Sequence, residues 1–183
     1  MSKQERILLW SSNFWNIGAG LLGPLFTVFA QQIGGDILSI TWVWGVYLLS
    51  MGVSVIIVGK LTDRIRNKAP LVLSGYLLNA LCTFGYLWVD TPEKLLVIQL
   101  GLGLAIALSA PGWSALYDRY SGTGRRDGWV WGLSSGYEKI ATGLGVIAGG
   151  YIVAATSFQT LFICMGSLQL IACLIQARFV ERK

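Results

Sequence analysis

The sequence predicts an all-α membrane protein with six transmembrane helices, and three observations support this: composition, the spacing of apolar runs and the placement of basic residues. Of its 183 residues, 54% are hydrophobic and 13% are charged, with a mean hydropathy of +0.61. A soluble domain carries roughly 25% charged residues. The deficit indicates an integral protein whose main surroundings are a lipid bilayer.

The apolar runs are long enough to cross a membrane. A helix needs about 20 apolar residues to span the ~30 Å hydrocarbon layer. Suitable runs occupy residues 7–30, 41–59, 70–89, 95–117, 132–154 and 159–177. Because the gaps between them are short, we expect a single six-helix transmembrane domain over residues 1–183.

Basic residues predict the orientation of the spans. Cytoplasmic loops of membrane proteins carry an excess of Lys and Arg. Lys94 falls on one side of the membrane, and Lys139 falls within or beside the fifth span. The other side receives Lys3, Arg6, Lys60, Arg64, Arg66, Lys68, Arg119, Arg125, Arg126, Arg178, Arg182 and Lys183. This predicts a multi-pass protein of the cell membrane with both termini in the cytoplasm. It also explains the net charge of +5 by topology rather than by nucleic-acid binding.

The residue inventory disfavours an enzyme. The chain has no histidine, which is the commonest general base and metal ligand. Cys82, Cys164 and Cys173 lie in apolar segments without the spacing of a metal site or a disulfide framework. The aspartates fall in loops or at span ends. We therefore predict no catalytic residues, no metal and no cofactor.

Two prolines indicate an internal repeat. Pro24 and Pro111 each occupy the eighteenth position of a helix, if those helices begin at Ile7 and Lys94. These helices open the two triplets of spans, which must have opposite orientations. Transporters are often built from inverted three-helix repeats with interrupted helices at matching positions. The pattern favours two inverted three-helix repeats.

A short segment between the second and third spans carries a recognisable motif. The matching residues are Gly59, Leu61, Asp63, Arg64, Lys68 and Leu71. They resemble the cytoplasmic loop between helices two and three of the major facilitator superfamily, although Arg66 and Asn67 depart from its pattern. The resemblance implies a latch that holds the cytoplasmic helix ends together when the cavity faces outward. An ordinary basic loop is the alternative, but it would not require Gly59, Leu61 or Asp63.

Glycines of the fifth span have the spacing of a packing face. Gly132 and Gly136 lie four residues apart, as do Gly145 and Gly149. Small residues at this spacing allow helices to approach closely in lipid. We expect all four to pack against other helices, and we expect Gly59 to allow close approach at a helix end.

Polar and aromatic residues within the spans are candidates for a substrate path. They are Asn13, Asn16, Tyr47, Trp113 and Glu138. Hydrogen bonding between helices is the alternative for the asparagines, and an interfacial position is the alternative for Glu138. Lys139 is adjacent to Glu138, and neighbouring helix residues do not face each other, so no ion pair is expected between them. Asn79 is expected to be structural, because the third helix of the resembling family is peripheral.

The resemblance covers one six-helix half of a family that normally has twelve helices. It implies secondary active or facilitative transport of a small-molecule solute by alternating access, with the chain acting as a homodimer or with a partner half. One alternative is a six-helix substrate-binding membrane subunit of an ATP-driven uptake system. Another is a truncated fragment of a twelve-helix transporter.

Overall fold

The computed structural model describes residues 2–121 and 127–179. Within these ranges the chain is helical and forms no strand. The helices are α1 (Lys3–Leu22), α2 (Leu25–Gln32), α3 (Ile37–Arg64), α4 (Ala69–Gly85), α5 (Pro92–Tyr120), α6 (Asp127–Ala155) and α7 (Phe158–Gln176). A 3-10 turn, Tyr86–Trp88, follows α4. Four residues used for the predicted orientation lie outside the described ranges: Arg125, Arg126, Arg182 and Lys183.

Five helices of the described part are long and apolar enough to cross a membrane. They are α3, α4 with its 3-10 turn, α5, α6 and α7. They correspond to the second to sixth predicted spans, and their ends differ from the predicted ends by no more than five residues. The all-helical membrane architecture therefore agrees with the prediction, whereas a membrane span in the first predicted segment, residues 7–30, remains a prediction.

The first predicted span, residues 7–30, requires correction because the chain forms two helices there. α1 ends at Leu22, and α2 begins at Leu25. Pro24 has no N–H to donate, and its ring clashes with a helical carbonyl one turn earlier. Gly23 precedes it with φ 13° and ψ −114°, outside the helical region. Pro111, in contrast, lies inside a continuous α5.

Side-chain caps fix where the helices begin. At α1, the Ser2 hydroxyl accepts a hydrogen bond from the Glu5 backbone N–H at 3.0 Å, and Glu5 accepts one from the Ser2 backbone N–H at 3.0 Å. This capping box satisfies two backbone donors that a helix start otherwise leaves unpaired. It starts α1 four residues before the predicted span. α3, α5 and α7 have simple N-caps, in which the side chain of Asp36, Thr91 or Ser157 accepts a hydrogen bond from the backbone N–H three residues later.

The helices pair in a pattern that supports an internal repeat. α1 packs on α6 and α7, α5 packs on α3 and α4, and α4 packs on α7. Exchanging α1 with α5, α3 with α6, and α4 with α7 leaves this set of pairs unchanged. Such an exchange is what two inverted three-helix repeats would produce.

Two apolar clusters hold the bundle at opposite ends of α1. One surrounds Phe29, Tyr86 and Phe162, whose rings lie 4.8 to 6.2 Å apart. The other surrounds Leu8 and Tyr117, both fully buried. Within lipid, which is as apolar as these side chains, such clusters stabilise the bundle through close packing. Polar side chains are concentrated between the two clusters, and that region holds the candidate site.

α3 and α6 leave most of their surface uncovered. α3 buries only Val43, Val58 and Thr62 among its 28 residues. Its exposed apolar side chains include Leu38, Trp42, Leu49, Val53, Ile56 and Ile57. Those of α6 include Trp129, Ile140, Leu144, Ile147 and Tyr151. A surface of this size and composition is suited to lipid or to another membrane helix.

Candidate functional site

A cavity between α1, α4, α5 and α6 brings together three of the predicted path residues. Asn16, Trp113 and Glu138 all line it, and its volume is about 390 Å³. The remaining polar lining comes from Ser12, Ser109, Ser114, Ser134 and Ser135. Four aromatic side chains complete much of the wall: Trp15, Tyr76, Trp113 and Trp131. We call this the Glu138 cavity. An apolar wall with a few converging polar groups is the usual form of a small-molecule site.

Glu138 is paired with its sequence neighbour, contrary to our expectation. The Lys139 Nζ lies 2.7 Å from the Glu138 Oε1. The Lys139 side chain is 78% exposed and the Glu138 side chain is 46% exposed. The expectation of no pair is wrong because the four-carbon lysine chain is long enough to fold back over the preceding residue, although the two Cβ atoms point to different faces. The acid of the cavity therefore has a cation beside it.

Trp113 is held in place by two contacts of its ring, and a third contact fixes the tyrosine on which it stacks. Its indole Nε1 donates to the Leu8 carbonyl of α1 at 3.3 Å. Its ring stacks on Tyr117, with centroids 4.9 Å apart and planes at 10°. The Tyr117 hydroxyl in turn donates to the Val130 carbonyl at 3.0 Å. α1, α5 and α6 are thus fastened around a fixed aromatic wall of the Glu138 cavity.

The other two path candidates lie elsewhere. Tyr47 lines a second cavity, whose volume is about 200 Å³. Trp44 lines the same cavity and contacts Tyr47, with ring centroids 5.3 Å apart. Asn13 lines a third cavity, of about 310 Å³, with Arg6, Trp10 and Tyr137. The structure therefore divides the predicted set among three places rather than gathering it into one.

The predicted latch segment is mostly helical. α3 continues to Arg64, so Gly59, Leu61, Asp63 and Arg64 occupy its last two turns rather than a loop. Leu61, Asp63 and Arg64 are exposed. A Cβ added at Gly59 would meet no atom within 4 Å, so the expected close approach there does not occur within the described chain. The latch function itself remains a prediction.

Lys68 closes the turn that follows α3. Its Nζ donates to the Ile65 carbonyl at 3.1 Å, directly after the end of α3. A lysine ammonium near the last carbonyls of a helix also interacts favourably with the helix dipole.

The glycines of α6 separate into two classes. At Gly145 and Gly149, a Cβ would collide with the backbone oxygens of Ile17 and Leu21 on α1, so both positions require glycine for packing. At Gly132 and Gly136, a Cβ would meet nothing within 4 Å. The packing prediction for this second pair is corrected for the described chain. It lies on the part of α6 that α1 does not cover.

Three buried amides were missed as site residues by the sequence reasoning. Asn79, Gln99 and Gln169 are 5%, 3% and 2% exposed, and all line the second cavity. A signal existed, because polar side chains within membrane spans are rare and usually point to functional positions. Asn79 was expected to be structural. The positions of Gln99 and Gln169 relative to Asn79 depend on how the helices pack, which cannot be read from the sequence.

The side chains described here include no group of three or more Cys, Asp or Glu that could hold a metal ion. The Glu138 cavity and the second cavity are lined by neutral polar groups, aromatic rings and one acid, Glu138. Such an arrangement can bind and orient a solute.

Comparisons with known proteins agree on the family. A model of the Major Facilitator Superfamily matches residues 9–183. An uncharacterized MFS-type transporter of Methanocaldococcus jannaschii is 25% identical over 184 residues, covering 99% of this chain and 47% of that protein. The multidrug resistance protein MdtG of Salmonella typhimurium is 24% identical over 150 residues, covering 80% of this chain and 37% of that protein. MdtG of Salmonella arizonae is 22% identical over 171 residues, covering 91% of this chain and 42% of that protein.

The chain thus spans about half or less of the length of the curated relatives it matches. The match and the apolar helices identify an integral, multi-pass membrane protein, and the family points to a transporter rather than an enzyme. On this evidence the chain belongs to the Major Facilitator Superfamily.

Proposed function

We propose that the chain forms one half of a transporter that moves a small solute across the cell membrane by alternating access. The observation that carries this proposal is the Glu138 cavity, where a carboxylate, serine hydroxyls and aromatic rings converge among four helices. Relatives named as transporters give the family context. In alternating access, two bundles rock around a fixed site near the middle of the membrane.

The chemistry of the cavity favours an organic cation as the solute. Glu138 supplies the negative charge, and the faces of Trp15, Trp113 and Trp131 attract cations through their ring quadrupoles. Lys139 offsets part of that charge, so a cationic solute would compete with the lysine ammonium for the carboxylate. Relatives named for multidrug resistance are consistent with this class of substrate.

The uncovered faces of α3 and α6 support a second half. Both helices expose rows of apolar side chains, and the chain spans half or less of its relatives. A second copy in the same orientation would supply the missing bundle, because the halves of such transporters are related by an axis along the membrane normal. This arrangement requires both termini on one side, which the basic residues assign to the cytoplasm.

The test is transport of ethidium, a planar organic cation, by the purified 183-residue chain in liposomes. Active protein should exchange ethidium across the membrane, and Glu138→Gln should reduce the exchange several-fold. Ser74→Ala, at an exposed hydroxyl on α4 outside the Glu138 cavity, is the matched control and should leave exchange unchanged. Equal exchange by wild type and Glu138→Gln would contradict the assigned role of the acid.

The oligomeric mass in lipid nanodiscs tests the second half separately. A dimer would support a two-half transporter. A monomer that binds ethidium without exchanging it would favour a binding subunit. A monomer that does neither would favour a fragment that requires a partner half.

A further inference from the structure

The second cavity is lined by buried polar groups that lack partners. It lies among α1, α2, α3, α4, α5 and α7, and its volume is about 200 Å³. Asn79, Gln99 and Gln169 are each at least nine-tenths buried on its wall. Among the residues described, its lining contains no charged side chain. We call this the amide cavity.

Gln169 has a fixed orientation and one unpaired atom. Its Nε2 donates to the Trp15 carbonyl of α1 at 3.0 Å. A Cβ at Gly18 would come within 2.7 Å of that Nε2, so the absence of a side chain at position 18 makes room for the amide. The other amide atom, Oε1, is buried and accepts no hydrogen bond from the described chain. It is an unpaired acceptor that belongs to a residue lining the amide cavity.

Asn79 presents the complementary group. Its Nδ2 is buried and donates to no acceptor in the described chain. The nearby Thr83 hydroxyl donates its hydrogen to the Asn79 backbone carbonyl, from which its Oγ1 lies 2.7 Å away. The cavity therefore contains an unpaired donor on α4 and an unpaired acceptor on α7.

Leaving both groups buried without partners is unfavourable, because each has given up its hydrogen bonds to water. An occupant that pairs both must accept one hydrogen bond and donate another. It must also be neutral, because a charge would be desolvated there without a counter-ion. Water, a hydroxyl group and a carboxamide meet these requirements. A volume of about 200 Å³ is enough for several waters, each of which takes roughly 30 Å³ in the liquid.

We propose that the amide cavity is a binding site for a neutral group that both donates and accepts hydrogen bonds, held between Asn79 Nδ2 and Gln169 Oε1. The group is water or the hydroxyl or carboxamide of a small solute. The site lies within one six-helix bundle, so it requires neither Glu138 nor a second half.

Two neighbouring cavities share walls with the amide cavity. The amide cavity shares Trp15 and Ile106 with the Glu138 cavity. On another side it shares Gly23, Phe26 and Trp44 with a cavity of about 380 Å³ beside the α1–α2 break. Trp15 and Trp44 are therefore walls that the amide cavity shares with its neighbours.

The test uses water itself as the probe. X-ray radiolysis converts water into hydroxyl radicals, which oxidise methionines beside it. Met165 lines the amide cavity and is only 4% exposed, whereas the half-buried Met51 packs against Gly103 and serves as the internal reference. For the full chain in lipid nanodiscs, we expect Met165 to be oxidised at least as fast as Met51. Oxidation of Met51 alone would show a dry cavity and overturn the proposal.

Two variants and one competitor sharpen the result. Asn79→Leu should slow Met165 oxidation several-fold, whereas Asn13→Leu, in the third cavity, should leave it unchanged, because that cavity shares no lining residue with the amide cavity. If acetamide slows Met165 oxidation relative to Met51 in the wild type, a solute amide occupies the site. If it does not, water occupies the site. Both outcomes support the proposal. A higher melting temperature for Asn79→Leu, without slower Met165 oxidation, would mean that the Asn79 amide has no partner in the wild type. That result would overturn the proposal.

Discussion

The Lys139 ammonium and the Glu138 carboxylate lie 2.7 Å apart at the rim of the cavity proposed to bind solute. The acid and the base follow each other in sequence, yet only the acid lines the cavity. Lys139 is therefore placed to act as an internal competitor for any cationic solute. Substitution of either residue breaks the same contact, but the two substitutions should have opposite effects on the affinity for a cationic solute.

Lys139→Met should strengthen binding of ethidium, whereas Glu138→Gln should weaken it. Removing the lysine frees the carboxylate, and removing the acid leaves only the aromatic walls. Stability should change little in either case, because exposed ion pairs are worth about 0–1 kcal/mol. Ethidium fluorescence titration in nanodiscs measures the affinities. Changes of the same sign would contradict competition.

Gly149→Ala should destabilise the protein by about 1–3 kcal/mol, the usual cost of overpacking. The new methyl group would collide with the Leu21 carbonyl oxygen at the α1–α6 contact. Gly136→Ala on the same helix is the matched control and should be stabilising by roughly 0.5–1 kcal/mol, because alanine replaces a helical glycine with open space around it. Unfolding in mixed micelles measures both. Equal destabilisation would mean that Gly136 is also packed.

Ser11→Ala should cost about 1–3 kcal/mol, the penalty for leaving a buried polar group unpaired. The Ser11 hydroxyl lies 2.8 Å from the Gln176 Oε1, and both side chains are at most 2% exposed. Ser12→Ala is the control, since the Ser12 hydroxyl donates to the Leu9 carbonyl within its own helix. A melting-temperature drop for Ser11→Ala alone is the expected outcome, and equal drops would show that the α1–α7 contact adds nothing.

The start of α3 should loosen in acid. Hydrogen bonds from the Ser39 side chain and backbone hold the pKa of the Asp36 carboxyl below its ordinary value. The capping contribution is therefore present above the unfolded pKa of about 3.9 and is lost as pH falls through the lower folded pKa. Hydrogen exchange at the Ser39 amide should accelerate across that window, after correction for intrinsic rates. Asp36→Asn keeps an acceptor without a titrating group, so its corrected exchange should not depend on pH there.

Asp63→Asn should impair transport while leaving folding largely intact, if the end of α3 acts as a cytoplasmic latch. Asp63 is exposed in the last turn of α3. Asp90→Asn is the control, because Asp90 forms an exposed pair with Lys94 at 2.7 Å at the other end of the bundle. Ethidium exchange and circular dichroism report the two properties. Unchanged exchange for Asp63→Asn would reduce the motif to a topology signal.

The sequence predicted the architecture well where one local rule decided the outcome. Apolar run length placed five spans, because hydrocarbon thickness imposes a nearly fixed helix length. It failed at residues 7–30, where the backbone restriction of Pro24 outweighed apolar character. It also placed Gly59 to Arg64 in a loop, although these residues extend α3 past the apolar stretch.

Predicting the site was harder because it depends on which helix faces meet. Asn16, Trp113 and Glu138 were predicted as path residues, and the structure brings them together in one cavity. Gly145 and Gly132 have the same spacing pattern, but only Gly145 meets a backbone from α1. Asn79, Gln99 and Gln169 come from three helices, and their juxtaposition is a property of the packed bundle.

The helix pairing has a consequence for synthesis. Extensive packing joins α1, α3 and α4 to α5, α6 and α7, with little packing inside either triplet. During synthesis, α1, α3 and α4 therefore have almost no packing partners until α5, α6 and α7 have been made. Assembly should occur late and nearly all at once, and a nascent chain stalled after α4 should be recognised by quality-control proteases as an orphan.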